Sequence, residues 1–346
     1  MKFNDRARLD TSQVQDRRSG GGGGFGRGGG GGFGGGFGGG FGGGGGFGRG
    51  GGGLGKAGGG LGLLVVIGVV LWQMFSGGGG STNGGGTGGA ASGGGNILSN
   101  MLGGGSGAPV EADNSSLEAN CRTGADANAN SDCALVAIIN SVQGFWTAEL
   151  QASGTSYTEA DTIWFRDDVT TGCGAATSGV GPFYCPADQQ VYVDLTFFQT
   201  LKTQFKANDE LFTQAYVLAH EYGHHVQNIL GTSSRVGQEA GPASGSVRLE
   251  LQADCYAGAW ANHATTVPDA SGEVLVTEIT DADIAAALDA AGKIGDDYIQ
   301  SELGNGTVDE SSFTHGSSAQ REKWFTTGFR TGDPAACNTF DTDDLG

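Results

Sequence analysis

The residues best equipped for chemistry lie in the run Gln214–Gln227, which contains His220-Glu221-Tyr222-Gly223-His224, an H-E-x-x-H. On a helix, positions four apart share a face, so His220 and His224 can present imidazole nitrogens to one metal ion. Glu221 lies beside the first of them, where its carboxylate can act as general base toward a nucleophilic water. A third donor is needed. The run Arg248–Trp260 offers Glu250 and Asp254, again four apart. Glu250 completes a His₂Glu set with one position left open. Asp254 can then accept a hydrogen bond from the far nitrogen of a ligand histidine and fix its tautomer. His225, Glu239 and His263 are rival third donors, but His225 points about 100° away from His224. A metzincin continuation needs Gly and His three and six residues after His224; Gln227 and Leu230 stand there.

Both runs must be helical for this to work. Leu211, Phe212, Ala215, Leu218, Ala219 and Tyr222 form an apolar stripe, and Leu249, Leu251, Ala253 and Cys255 embed the two acids. The pattern predicts helices over about 209–230 and 245–263, with later ones near 281–303 and 316–329. Ile163–Arg166 and Gln189–Leu195 read as strands. The fold class expected is α+β, a mixed sheet with the site helices packed on it.

With Glu250-Leu-Gln-Ala-Asp-Cys-Tyr-Ala-Gly258, Phe313-Thr-His-Gly-Ser-Ser-Ala-Gln-Arg321 and the opening Met1-Lys-Phe-Asn-Asp5, the H-E-x-x-H region resembles the "putative neutral zinc metallopeptidases" of bacteria. The resemblance implies a zincin-like domain of the gluzincin type, one catalytic Zn²⁺, a peptide or protein substrate, and E-x-x-x-D supplying the third ligand. It also singles out His315 and Arg321, six residues apart as in membrane gluzincins that share this arrangement. Either can stabilise a developing oxyanion; equally, Arg321 can pair with Asp254 or Glu250. Gln189–Leu195 is expected as the edge strand to which an extended peptide adds. The reading is a membrane-anchored zinc metalloendopeptidase. The alternative is an inactive zincin-like scaffold, which an intact Glu221 disfavours.

The rest of the chain concerns placement. Of 346 residues 71 are Gly, 49 of them between Gly20 and Gly107, without the three-residue period of collagen. The formal charge is −19, yet residues 1–60 hold eight Lys/Arg against three Asp. A basic head and an acidic body argue against one nucleic-acid-binding surface. Residues 1–56 are expected to form a disordered cytoplasmic tail. Its Arg-Gly-Gly steps at Arg27 and Arg49, among scattered Phe, are too few to make nucleic acid an expected partner. Leu61–Phe75 is the most apolar run and carries no charge, so 57–76 is expected to span the membrane once. A Gly/Ser-rich linker over 77–107 then leads to a domain over 108–346. The positive-inside rule places the N-terminus in the cytoplasm and the domain outside. All six cysteines lie in the body, which fits disulfides in an oxidising compartment. Six cysteines permit 15 pairings. Short loops favour Cys121–Cys133 and Cys173–Cys185, leaving Cys255–Cys337.

Overall fold

The structure is a computed structural model that describes residues 1–20, 110–208, 210–237, 239–268 and 272–346. The Gly/Phe block, the expected membrane span at 57–76 and the linker at 77–107 lie outside them. The expectation of an α+β fold with a mixed sheet is met.

The sheet has four strands: β2 (Val14–Asp16), β3 (Thr162–Phe165), β7 (Gln190–Asp194) and β6 (Phe183–Cys185), in that spatial order. β2, β3 and β7 run parallel and β6 is antiparallel to β7. The hairpin of β4 (Asp168–Thr171) and β5 (Gly174–Thr177) is tied to β6 by the Cys173–Cys185 disulfide. Phe183, Tyr192, Ile163 and Phe165 form a small second core with Ala176 and Val180. β7 is therefore an inner strand, contrary to expectation, and β6 ends the sheet. Asp194 is taken up by the fold: its carboxylate accepts the Thr196 amide at 2.9 Å and the Asp167 amide at 3.1 Å.

Helices α1 (Ser115–Asn120) and α2 (Gly124–Ala129) lead into α3 (Ser131–Ala152), whose start Asn130 caps by accepting from the Asp132 amide at 2.8 Å. Among the described residues α3 alone is long and apolar enough to cross a membrane. It is a core helix here, with Val136 through Ile139 and Val142 buried. After the short α4 (Thr196–Thr203) come α5 (Leu211–Ile229) and α6 (Gly245–His263), within two residues of their expected bounds. Strand β8 (Val276–Glu278) precedes α7 (Asp281–Lys293). The helix expected over 281–303 is interrupted after Lys293, and helical structure resumes at Asp296–Tyr298 and continues as a π-helix over Ile299–Leu303. α8 (Ser318–Thr331) ends on Gly332 in the left-handed region, φ 63°.

Close approach dictates glycine on the site helices. A Cβ on Gly223, inside the H-E-x-x-H, would lie 3.1 Å from the Ala253 Cα of α6. Gly258 on α6 and Gly328 on α8 meet each other's backbones near the Phe325 and Cys255 carbonyls, leaving no room for a side chain. The disulfides join Cys121–Cys133, Cys173–Cys185 and Cys255–Cys337, the pairing that loop length favours.

Residues 1–20 are not a disordered tail. β1 (Lys2–Phe3) pairs antiparallel with β8, and β2 is a strand of the main sheet. Phe3, Ala7 and Val14 are buried in the main core. Apolar side chains with partners far along the sequence order this stretch.

Candidate metal centre

α5 and α6 bring three donor atoms together. His220 Nε2 lies 3.1 Å from His224 Nε2 and 3.2 Å from Glu250 Oε2, and His224 Nε2 lies 3.4 Å from Glu250 Oε1. Four ligands at zinc-like bond lengths of about 2.05 Å on a tetrahedron stand about 3.3 Å apart. The His220–His224 separation matches that edge, and the Glu250 carboxylate faces each ring with a different oxygen, at 3.2 and 3.4 Å.

The far sides of both rings decide their tautomers. His220 Nδ1 faces Asp254 Oδ1 at 2.8 Å, and an ionised carboxylate only accepts, so this nitrogen carries the proton. His224 Nδ1 faces Gln227 Oε1 at 2.8 Å. The Gln227 amide cannot turn over, because its NH₂ donates to the Leu249 carbonyl at 2.7 Å and to Gln252 Oε1 at 3.1 Å. Gln252 is held in turn by donating to the Cys337 carbonyl at 2.9 Å. Both Nδ1 atoms therefore donate, so each ring in its neutral form aims the Nε2 lone pair into the cluster. With both rings neutral, two lone pairs and a carboxylate converge with no donor between them. A cation is what such a set fits.

Charge points the same way. Glu221, Glu250 and Asp254 are 8%, 4% and 0% exposed, and the buried cation among them is Arg321. Three carboxylates against one guanidinium leave two negative charges, which a dication balances. Burial opposes a charge on His220, yet Asp254 and Glu250 push its pKa up to about 10. Burial likewise opposes ionising Glu250, but His224 and His220 hold it well below the ordinary carboxylate range. For Glu221 burial prevails and raises the pKa; His220, His224 and a hydrogen bond from the Tyr184 backbone amide moderate the rise.

The other expected residues fall in two places. Arg321, 2% exposed, donates from Nε to Asp254 Oδ2 at 2.9 Å and from Nη2 to Asp254 Oδ1 at 3.0 Å. Tyr216 donates to the same carboxylate at 2.6 Å. Arg321 thus stands behind His220, paired with Asp254. His315 is set apart from that network, with Nδ1 3.0 Å from Asp296 Oδ1. Asp296 Oδ2 accepts the backbone amides of Thr314, His315 and Gly316 at 2.7, 2.7 and 3.0 Å. Burial disfavours the His315 cation, but Asp296 outweighs it and raises the pKa.

The rival donors are occupied elsewhere. His225 faces the Thr158 carbonyl at 2.7 Å and the Tyr184 hydroxyl at 3.1 Å, and His263 faces the Gly332 carbonyl at 3.0 Å. Glu239 is exposed. Sequence reasoning missed Asp296, Tyr216 and the orienting role of Gln227. Only Gln227 carried a local signal, one turn after His224.

The chain matches the family described as "putative neutral zinc metallopeptidase" over residues 1–340. It belongs to that family. Among its curated relatives, uncharacterized proteins of Mycobacterium bovis and Mycobacterium tuberculosis are each 51% identical over 228 residues, 65% of this chain and 76% of theirs. Uncharacterized protein YpfJ of Escherichia coli is 43% identical over 209 residues, 59% of this chain and 69% of its own. No solved structure matches.

Proposed function

We propose that the protein is a zinc-dependent endopeptidase of gluzincin type, with His220, His224 and Glu250 holding one Zn²⁺ and Glu221 as general base. The observation that carries this reading is the convergence of two imidazole lone pairs and a carboxylate at 3.1–3.4 Å. Zinc bound there supplies a Lewis acid for the scissile carbonyl and lowers the pKa of a coordinated water.

The chain's own residues do the rest. Glu221 takes a proton from the nucleophilic water and returns it to the leaving amine; its raised pKa brings it closer to a working neutral pH. His315 has Nδ1 committed to Asp296, so its protonated Nε2 is free to donate to the oxyanion. Asp254, Tyr216 and Arg321 fix the His220 ring, which makes Arg321 a positioning residue. β6 replaces Gln189–Leu195 as the strand to which an extended peptide adds, because it ends the sheet and its Tyr184 amide reaches Glu221. The apolar run Leu61–Phe75 ties the domain to a membrane.

The test is Glu221→Gln in the full chain. Zinc stoichiometry stays at the wild-type value, while cleavage of a peptide library falls at least about 100-fold. Wild-type cleavage by that variant would overturn the assignment, and an inactive wild-type chain with zinc bound would favour the scaffold reading.

A further inference from the structure

The N-terminal head and the body are joined by backbone pairing at two places. β1 pairs with β8, and β2 pairs with β3 in the register Val14↔Thr162 to Asp16↔Trp164. Side chains clamp both strands. Asn128 accepts the Phe3 amide at 3.0 Å and donates to the Phe3 carbonyl at 2.9 Å. Asn114 accepts the Asp16 amide at 2.9 Å and donates to the Val14 carbonyl at 2.6 Å. The Asp113 amide donates to the Asp16 carbonyl at 2.8 Å, so the chain leaves the fold after the head and re-enters it at adjacent points. The family match also starts at residue 1.

This pairing conflicts with the expected topology. A single crossing by Leu61–Phe75 would put a hydrocarbon layer of about 30 Å between β2 and β3, which stand side by side. The charge signal behind that topology also changes meaning. Arg18, one of the basic residues that point the head toward the cytoplasm, bonds Asp16 at 2.6 Å and Asp132 of the body at 2.7 Å. Its guanidinium lies over the Trp164 ring, 4.8 Å from the centroid. That charge serves an intramolecular contact.

We propose that residues 1–18 are a structural part of the catalytic domain and stand on the same side of the membrane as residues 110–346. With three disulfides in the body, that side is the oxidising one. The apolar run therefore meets the bilayer without separating head from body. The inference is independent of the peptidase reading.

The test uses the full chain in bacterial membranes with single cysteines at two exposed positions, Ser19→Cys in the head and Ala285→Cys on α7. The native cysteines are all disulfide-bonded, so a membrane-impermeant maleimide reads only the new thiols. Right-side-out and inside-out vesicles are labelled in parallel. Both variants are expected to react in the same vesicle orientation, and both to remain silent in the other until detergent is added. Labelling of Ser19→Cys and Ala285→Cys in opposite orientations would overturn the proposal. Neither variant touches the site, so a wild-type melting temperature of the detergent-solubilised chain in both confirms that each has folded.

Discussion

Arg321→Met isolates the link between the buried ion pair and the metal site. The substitution keeps much of the side-chain volume and removes the guanidinium, so Asp254, at 0% exposure, loses two charge-assisted hydrogen bonds. Breaking one partner out of a buried pair costs about 3–5 kcal/mol, because the remaining charge stays desolvated. For a domain of this size each kcal/mol lowers the Tm by roughly 2–4 °C, so calorimetry should show a fall of roughly 6–20 °C. Zinc affinity, read by competition with a chromophoric chelator, should weaken about 10- to 100-fold as His220 loses its orientation. The pH dependence has a fixed sign. Burial opposes the Asp254 charge, but Arg321 and His220 lower its pKa, so its contribution is present above the unfolded value of about 3.9 and is lost on acidification. The Tm gap between wild type and variant should accordingly hold down to about pH 4 and narrow only below it. A Tm within 2 °C of wild type at pH 7 (the order of a surface substitution) together with unchanged zinc affinity would refute the reasoning.

Two further changes address separate parts of the site. Glu250→Ala removes the third donor, so zinc content after dialysis should fall well below one ion per chain while the disulfide-bonded fold persists by circular dichroism; full stoichiometry would mean another third ligand. Asp296→Asn takes away the charge that raises the His315 pKa, so the alkaline limb of kcat against pH should move to lower pH, and kcat should fall more than KM rises. An unmoved pH profile would remove His315 from the reaction.

What the sequence disclosed follows the range of each interaction. The two site helices were readable because their periodicity is local, and the i, i+4 spacing set His220 against His224 and Glu250 against Asp254 without knowledge of any fold. The α5–α6 crossing was not readable, although Gly223 is what permits it. Asp296 meets His315 at a separation of nineteen positions that includes a π-helix and a loop, and no spacing rule links them. Strand β6 is three residues long, too short for alternation to show, whereas β7 is long enough to read as a strand; the edge role that the zincin resemblance implies for it does not hold, because Val191–Asp194 are buried and β6 ends the sheet. Composition conceals the fold of the head. The glycine block after Ser19 made the whole basic stretch look uniform, while Phe3, Ala7 and Val14, its buried residues, have partners more than a hundred positions away.

The head matters for the candidate site, because the sheet that it completes packs against α5. β2 is hydrogen-bonded to β3, and Thr162 at the start of β3 meets the Tyr222 hydroxyl at 2.8 Å. Tyr222 also donates to the Ala160 carbonyl at 3.1 Å, and its neighbour in sequence is Glu221. At the other end of the sheet, β6 places the Tyr184 amide against the Glu221 carboxylate. Glu221, the proposed general base, thus sits between a helix and a sheet whose outermost strands, β2 and β6, come from the head and the body. Closing the head onto β3 costs loop entropy that grows only slowly with the length of the connection. A long insertion between Gly20 and Val110 is therefore thermodynamically tolerable, provided that both of its ends reach the same face of the same domain. Docking of the head and positioning of the Glu221 carboxylate are on this account parts of one folded unit.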